Sequence, residues 1–180
     1  MPTILTTCRV PWTISPTTSG VTLIHSESDV EPECTVVLGG GRLVDADGYD
    51  SRRIEIKFLE CYYARVGHHR DTETVEAIGY EIADSYSGDM NNYIDWLNKI
   101  WSETGNCPDS GFYFAQQSDW LSSLPSYFQQ NFRHYVIDGR DGYVELVAKE
   151  YTRREWIWSD GHREESQLKG PVVGSGNGVE

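Results

Sequence analysis

The sequence predicts a mixed α+β domain: an antiparallel sheet built from two main hairpins, packed against one amphipathic helix, with short additional helices. Three observations carry that expectation. Apolar residues alternate with polar ones over 53–66 and again over 132–151, an apolar stripe of helical spacing runs through 89–104, and glycine-rich or polar segments stand where the alternating runs turn back.

The 180 residues suit one domain, expected over 1–165, with a Gly-rich tail over 166–180. Six Trp, eleven Tyr and five Phe provide far more bulky apolar surface than a disordered chain carries. Acidic residues outnumber basic ones 28 to 15, a formal net charge of -13. That balance argues against nucleic acid, whose phosphates demand clustered Lys and Arg, and against an anionic membrane surface. It favours a basic protein partner drawn in by long-range attraction. No run approaches the roughly 18 apolar residues of a bilayer span. The opening Met1–Thr7 has neither the basic start nor the apolar run of a signal peptide, so a cytoplasmic location is expected. Cys8, Cys34, Cys61 and Cys107 include no CxxC pair, which disfavours a zinc ribbon or a thioredoxin-type site. Cys61 sits in an apolar alternation and is expected as a buried thiol, with one or two disulfides conceivable only on export.

Taken in order, residues 1–20 read as an extended edge segment anchored by Ile4, Leu5, Val10 and Trp12. Val21–Ile24 and Cys34–Leu38 are β-branched strands. Gly39, Gly40 and Gly41 predict a flexible turn; no GK[ST] follows, so they do not form a phosphate loop. Asp45–Asp50 resembles the opening of a calcium loop, but Ile56 occupies the position that needs a bidentate Glu. In Arg53–Val66 the apolar set Ile54, Ile56, Phe58 slips phase to Leu59, Cys61, Tyr63, which predicts a β-bulge near Phe58–Leu59. Val75–Ile82 is expected to pair with that strand across a loop holding Gly67–Asp71.

Tyr93, Trp96, Leu97, Ile100 and Trp101 share one helical face; Asp89 is the expected N-cap, Gly105 the stop, and the helix the cover of the sheet. Phe112–Phe114 is a short strand, Ser118 caps a brief helix carrying Trp120, Leu121 and Leu124, and Pro125 breaks it. Phe132–Asp138 and Tyr143–Tyr151 form the second hairpin through the Gly139–Gly142 turn, and Trp156–Trp158 closes the sheet.

Chemistry-bearing constellations are few. His68, His69 and Asp71 at a hairpin tip are the metal alternative, although their spacing matches no compact ligand motif and a solvated tip explains them as well. His134 shares a strand face with Val136 and Asp138, but Asp138 would lie about 13 Å away, too far to orient it. Glu145 on the next strand is the candidate cross-strand partner, making His134 and Glu145 the catalytic alternative against a satisfied structural histidine. There is no G-x-S-x-G elbow and no cofactor motif, so no cofactor is expected. Trp156 and Trp158 alternate onto one strand face, which is either core or an interface. With Asp138, Asp141 and Glu145 of the mixed-charge second hairpin they make up the expected partner-binding set. Small size, acidity and aromatic content are the general character of bacterial immunity proteins, which inhibit a cognate toxin. The expected function is therefore an acidic binding module that neutralises a basic partner, with a small hydrolase using a His/carboxylate or metal site as the alternative.

Overall fold

The computed structural model describes residues 2–14, 21–26, 31–45, 48–68, 79–139 and 142–157. The chain opens with β1 (Thr3–Thr7), β2 (Thr13–Ile14) and β3 (Thr22–Ser26). The long hairpin of β4 (Glu33–Asp45) and β5 (Gly48–Leu59) follows, then β6 (Tyr63–His68) and β7 (Tyr80–Ile82). A 3-10 turn at Met90–Asn92 leads into α1 (Tyr93–Thr104), and β8 (Phe112–Gln116), α2 (Asp119–Ser122) and α3 (Ser126–Asn131) come next. The chain continues with β9 (Arg133–Asp138), β10 (Gly142–Ala148) and β11 (Glu150–Ile157). The fold is mixed α+β with antiparallel sheets, one main helix and short helices.

Two sheets share the strands. One runs β6-β10-β9-β8-β1-β7, the other β11-β5-β4-β2 with β3 also on β4. Among the described residues the pairings are antiparallel except that of β1 with β7. Period-two alternation turns Ile54, Ile56 and Phe58 of β5 and Cys34, Val36 and Leu38 of β4 toward Tyr135 and Ile137 of β9 and Val144, Leu146 and Ala148 of β10. All are buried, and the aromatic centre is tight: Phe58 meets Phe112 edge-on at 6.1 Å and Tyr135 at 5.3 Å. The core thus lies between two sheets.

The chain passes from one sheet to the other twice, side by side. β5 pairs with β11 and its continuation β6 pairs with β10, so one antiparallel ribbon belongs to both sheets. The bend is made at residues 59–62 and 147–149, where Lys149 N donates to Leu59 O at 3.2 Å and Tyr62 N to Val147 O at 3.2 Å. Glu60 takes up the turn with φ +49, and its carboxylate receives Lys149 Nζ at 2.6 Å. This corner is the physical origin of the phase slip seen in the sequence: the irregular residue is Glu60, just past the expected Phe58–Leu59 bulge. The same bend divides the expected Tyr143–Tyr151 strand into β10 and β11.

Two further expectations are corrected. The partner of β6 is β10, while Tyr80–Ile82 adds in parallel to β1, so no hairpin joins them; residues 69–78 lie outside the described part. Gly39, Gly40 and Gly41 lie within β4 and make no turn, and at Gly40 the close approach of neighbouring strands calls for glycine. A Cβ on Gly40 would stand 2.1 Å from Ile54 Cδ1 and 2.8 Å from Thr13 O. The actual turn of this hairpin lies between Asp45 and Gly48.

The helix forms where its stripe predicts. Asp89 caps the 3-10 turn by accepting from Asn91 N at 3.0 Å, and Gly105, at φ 71, ends α1 with its N–H on Trp101 O. Leu97 and Trp101 are buried with Cys107 and packed by Leu43, Tyr93 and Trp96, a small cluster separate from the inter-sheet core. Tyr93 pins the helix by donating to Asp109 Oδ2 at 2.5 Å. No described helix is long and apolar enough to cross a membrane.

Replacing Gly40 by Ala should cost about 1–3 kcal/mol through overpacking against β2 and β5. Gly41→Ala, whose new methyl would meet its nearest atom at 3.4 Å, should be tolerated within about 1 kcal/mol. Chemical denaturation of the two variants measures the difference.

Candidate functional site

The outer face of the six-stranded sheet carries the densest group of polar side chains away from water. β9 alternates, so while Tyr135 and Ile137 enter the core, His134 and Val136 point to the opposite side. On the neighbouring β10, Glu145 stands opposite Val136 and, on its other flank, opposite Arg65 of β6. Ser118 and Trp120 reach the same place from α2, and Tyr80 from β7.

His134 is fully buried and Glu145 is 1% exposed. The His134 ring has Ser118 Oγ at 2.8 Å from Nδ1 and Trp120 against it edge-on at 5.0 Å. Its Nε2 lies 3.7 Å from Glu145 Oε2, beyond hydrogen-bond length but close enough for electrostatic attraction. Glu145 accepts from Tyr80 OH at 2.7 Å through Oε1 and from Arg65 Nε through Oε2. The Arg65 guanidinium lies 4.2 Å from the Trp120 ring centroid, a cation–π contact that closes the group from outside. Burial by itself opposes the carboxylate charge, but the neighbouring His134 imidazole, Arg65 and Tyr80 together outweigh it and hold the Glu145 carboxyl below its ordinary range. Burial and the adjoining carboxylate push the Tyr80 hydroxyl well above its usual value, so it stays a donor.

By composition Ser118, His134 and Glu145 could be a nucleophile, base and orienter. Their surroundings oppose that use. Ser118 Oγ also accepts from Leu121 N at 3.0 Å as the cap of α2, Ser118 is 4% exposed, and Arg65, Trp120 and Tyr80 cover the other two. The arrangement ties β6, β7, β9, β10 and α2 together through one buried carboxylate.

The other residues singled out in the sequence scatter. Glu145, expected on a partner-facing rim, is buried and its carboxylate engaged, so it offers nothing to a partner. Asp138 is half-buried at the end of β9, where its N–H donates to Gly111 O. Trp156 is half-buried on the edge strand β11 opposite Arg53, on the face turned away from the core. His68 is exposed at the end of β6 opposite Gly142. Trp158, Asp141, His69 and Asp71 lie outside the described residues, as does the 166–180 tail. Among the described residues no three His, Cys, Asp or Glu side chains converge on a point. Asp50, from the calcium-like segment, is instead held by Arg52, whose Nε donates to Oδ1 at 2.8 Å.

Nothing in the sequence alone assigns Arg65, Tyr80 or Trp120 to this group. Arg65 alone left a signal, a basic residue on a strand that could face a carboxylate, but that signal needs the β6–β10 register to be used. Comparison with protein-family models, with curated proteins and with solved structures finds no match to this chain.

A carboxyl held low in the folded state adds stability above its unfolded pKa, and that stability is lost as pH falls through the folded value. Acid should therefore weaken the wild type below about pH 4, the unfolded carboxyl range. Glu145→Gln should lower stability by about 2 kcal/mol at neutral pH and flatten this acid limb. Denaturation midpoints across pH check both.

Proposed function

We propose that the chain is a protein-binding module for a basic partner, a cytoplasmic inhibitor of the bacterial immunity or antitoxin kind. The observation that supports this reading lies at the amino-terminal end of α1 and its approach. Met90, in the 3-10 turn, and Ile94, in the first turn of α1, are 72% and 54% exposed. Around them in sequence, over 79–106, Glu81, Asp84, Asp89, Asp95 and Glu103 are all exposed against Lys99 as the one basic residue. Exposed apolar side chains in an acidic segment suit a basic surface: contact area comes from the former, orientation and fast approach from the charge. The net charge of -13 adds a long-range attraction of the same sign.

The hydrolytic alternative draws on His134 and Glu145. It would require the Arg65–Trp120 cover to open, since both side chains are closed to a substrate where they stand.

Affinity capture with the tagged full chain from its source cells at low salt, followed by mass spectrometry, should return one stoichiometric basic protein. The double variant Met90→Asp, Ile94→Asp should weaken that capture by roughly tenfold or more at unchanged thermal midpoint. Ile24→Asp, at a residue 52% exposed on β3, should not. Capture of no basic protein, or capture indifferent to the double variant, would refute the reading.

A further inference from the structure

A cavity of about 520 Å³ lies between the end of β4 and the carboxy-terminal half of α1. Small-molecule sites run from roughly 300 to 1,000 Å³, so the space suits a compact ligand. Leu43, Val44 and Trp101 give it apolar surface, and Arg42, Lys99 and Asn98 bring polar groups to it. Trp101 is buried and packs on Tyr49 with ring centroids 5.6 Å apart, so it is a fixed base. Val44 is left 63% exposed, an apolar side chain still open to contact. Among the described residues no carboxylate lines the space, in a chain whose formal net charge is -13.

The polar groups keep unused donors. Arg42 reaches Glu155 Oε2 only at 3.7 Å, beyond hydrogen-bond length, and its side chain is 34% exposed. Lys99 has Asp95 and Glu103 four residues away on either side, the spacing of helical ion pairs, yet among the described residues it pairs with neither. Asn98 accepts from the Tyr49 hydroxyl through Oδ1, which leaves its amide nitrogen to donate elsewhere. The helix end does not occupy the cations either. Gly105 N donates to Trp101 O at 2.8 Å and Asn106 Nδ2 to Thr104 O at 3.2 Å, so these carbonyls of the last turn are met without Arg42 or Lys99.

We propose that this cavity binds a small phosphate monoester with an apolar body. Arg42 and Lys99 bring two positive charges, and Asn98 adds a neutral donor. A phosphate monoester at neutral pH carries about -1.5 to -2 charges on three acceptor oxygens, which matches that set. The guanidinium fork of Arg42 suits two of those oxygens, and the Lys99 ammonium acts as a point charge on another. A carboxylate brings a single charge and leaves one cation unmatched. Inorganic phosphate leaves Leu43 and Val44 in water, whereas an apolar body covers them. The cavity lies at the other end of α1 from Met90 and Ile94 and favours the opposite charge, so it does not rest on the basic-partner reading.

The test titrates phenyl phosphate into the isotope-labelled full chain at about pH 7.5, where the phosphate is doubly ionised, and follows amide shifts by NMR. The shifts should saturate and map to residues 42–44 and 98–105, with the Asn98 side-chain amide among them. Inorganic phosphate and benzoate should each bind roughly tenfold or more weakly. Lys99→Gln, at an exposed position, should weaken phenyl phosphate about tenfold at unchanged melting temperature, and Arg42→Gln should weaken it as much. Arg154→Gln, exposed on β11, should leave binding unchanged. No saturable shift up to about 10 mM phenyl phosphate, shifts centred away from both segments, or binding indifferent to Lys99→Gln would overturn the site. Benzoate binding as tightly would overturn the dianion, and inorganic phosphate binding as tightly would overturn the apolar body.

Discussion

The structure depends on the corner at residues 59–62 and 147–149, where one two-stranded ribbon leaves one sheet and enters the other. Two separate sheets could slide or part. Two sheets that share a ribbon are held in one relative placement, and side chains from both can then interdigitate to the density a core requires. Phe58 just before the corner and Leu146 and Ala148 opposite it are all buried in that core, so the bend and the packing support each other. The positive φ of Glu60 is the local cost, of the order of 1 kcal/mol for a residue that is not glycine.

The corner also organises the outer face. By delivering β6 to β10 it sets Arg65 beside Glu145, and the buried carboxylate becomes affordable because Tyr80 supplies a second donor. A charge buried with one partner missing is strongly destabilising, so this group acts as an all-or-none lock on the sheet edge. By the same bend it turns Cys61 inward to the core. The polar outer-face group and the inward turn of Cys61 thus share a single geometric cause.

How much of this was legible in the sequence varied with the range of the interaction. Local signals were enough for α1, whose stripe Tyr93, Leu97, Trp101 and stop at Gly105 need only helical geometry, and for the β9–β10 hairpin bracketed by Gly139 and Gly142. The alternation that put His134 on the far side of β9 from Tyr135 also made Glu145 its natural cross-strand partner. Long-range placement was not legible. Gly40 looks like turn residue in one dimension and is a close strand contact in three. Tyr80–Ile82 carries no mark of its parallel seat on β1. Trp120 reads as a helix core residue, and its stacking with Arg65 depends on β6 lying beside β10.

The seat of β1 has a consequence for how the chain comes into being. Ile4 pairs with Gln116 on one side and Glu81 on the other, and Leu5 between them is wholly buried. During synthesis β1 leaves the ribosome well before β8, so its place is not assembled until β8 has emerged. Until then a short β-prone stretch must wait without its neighbours. The second sheet is left still longer without its edge, since β11 is made after β10. Closure of the six-stranded sheet is then limited by encounters between segments distant in the chain, which makes for slow folding.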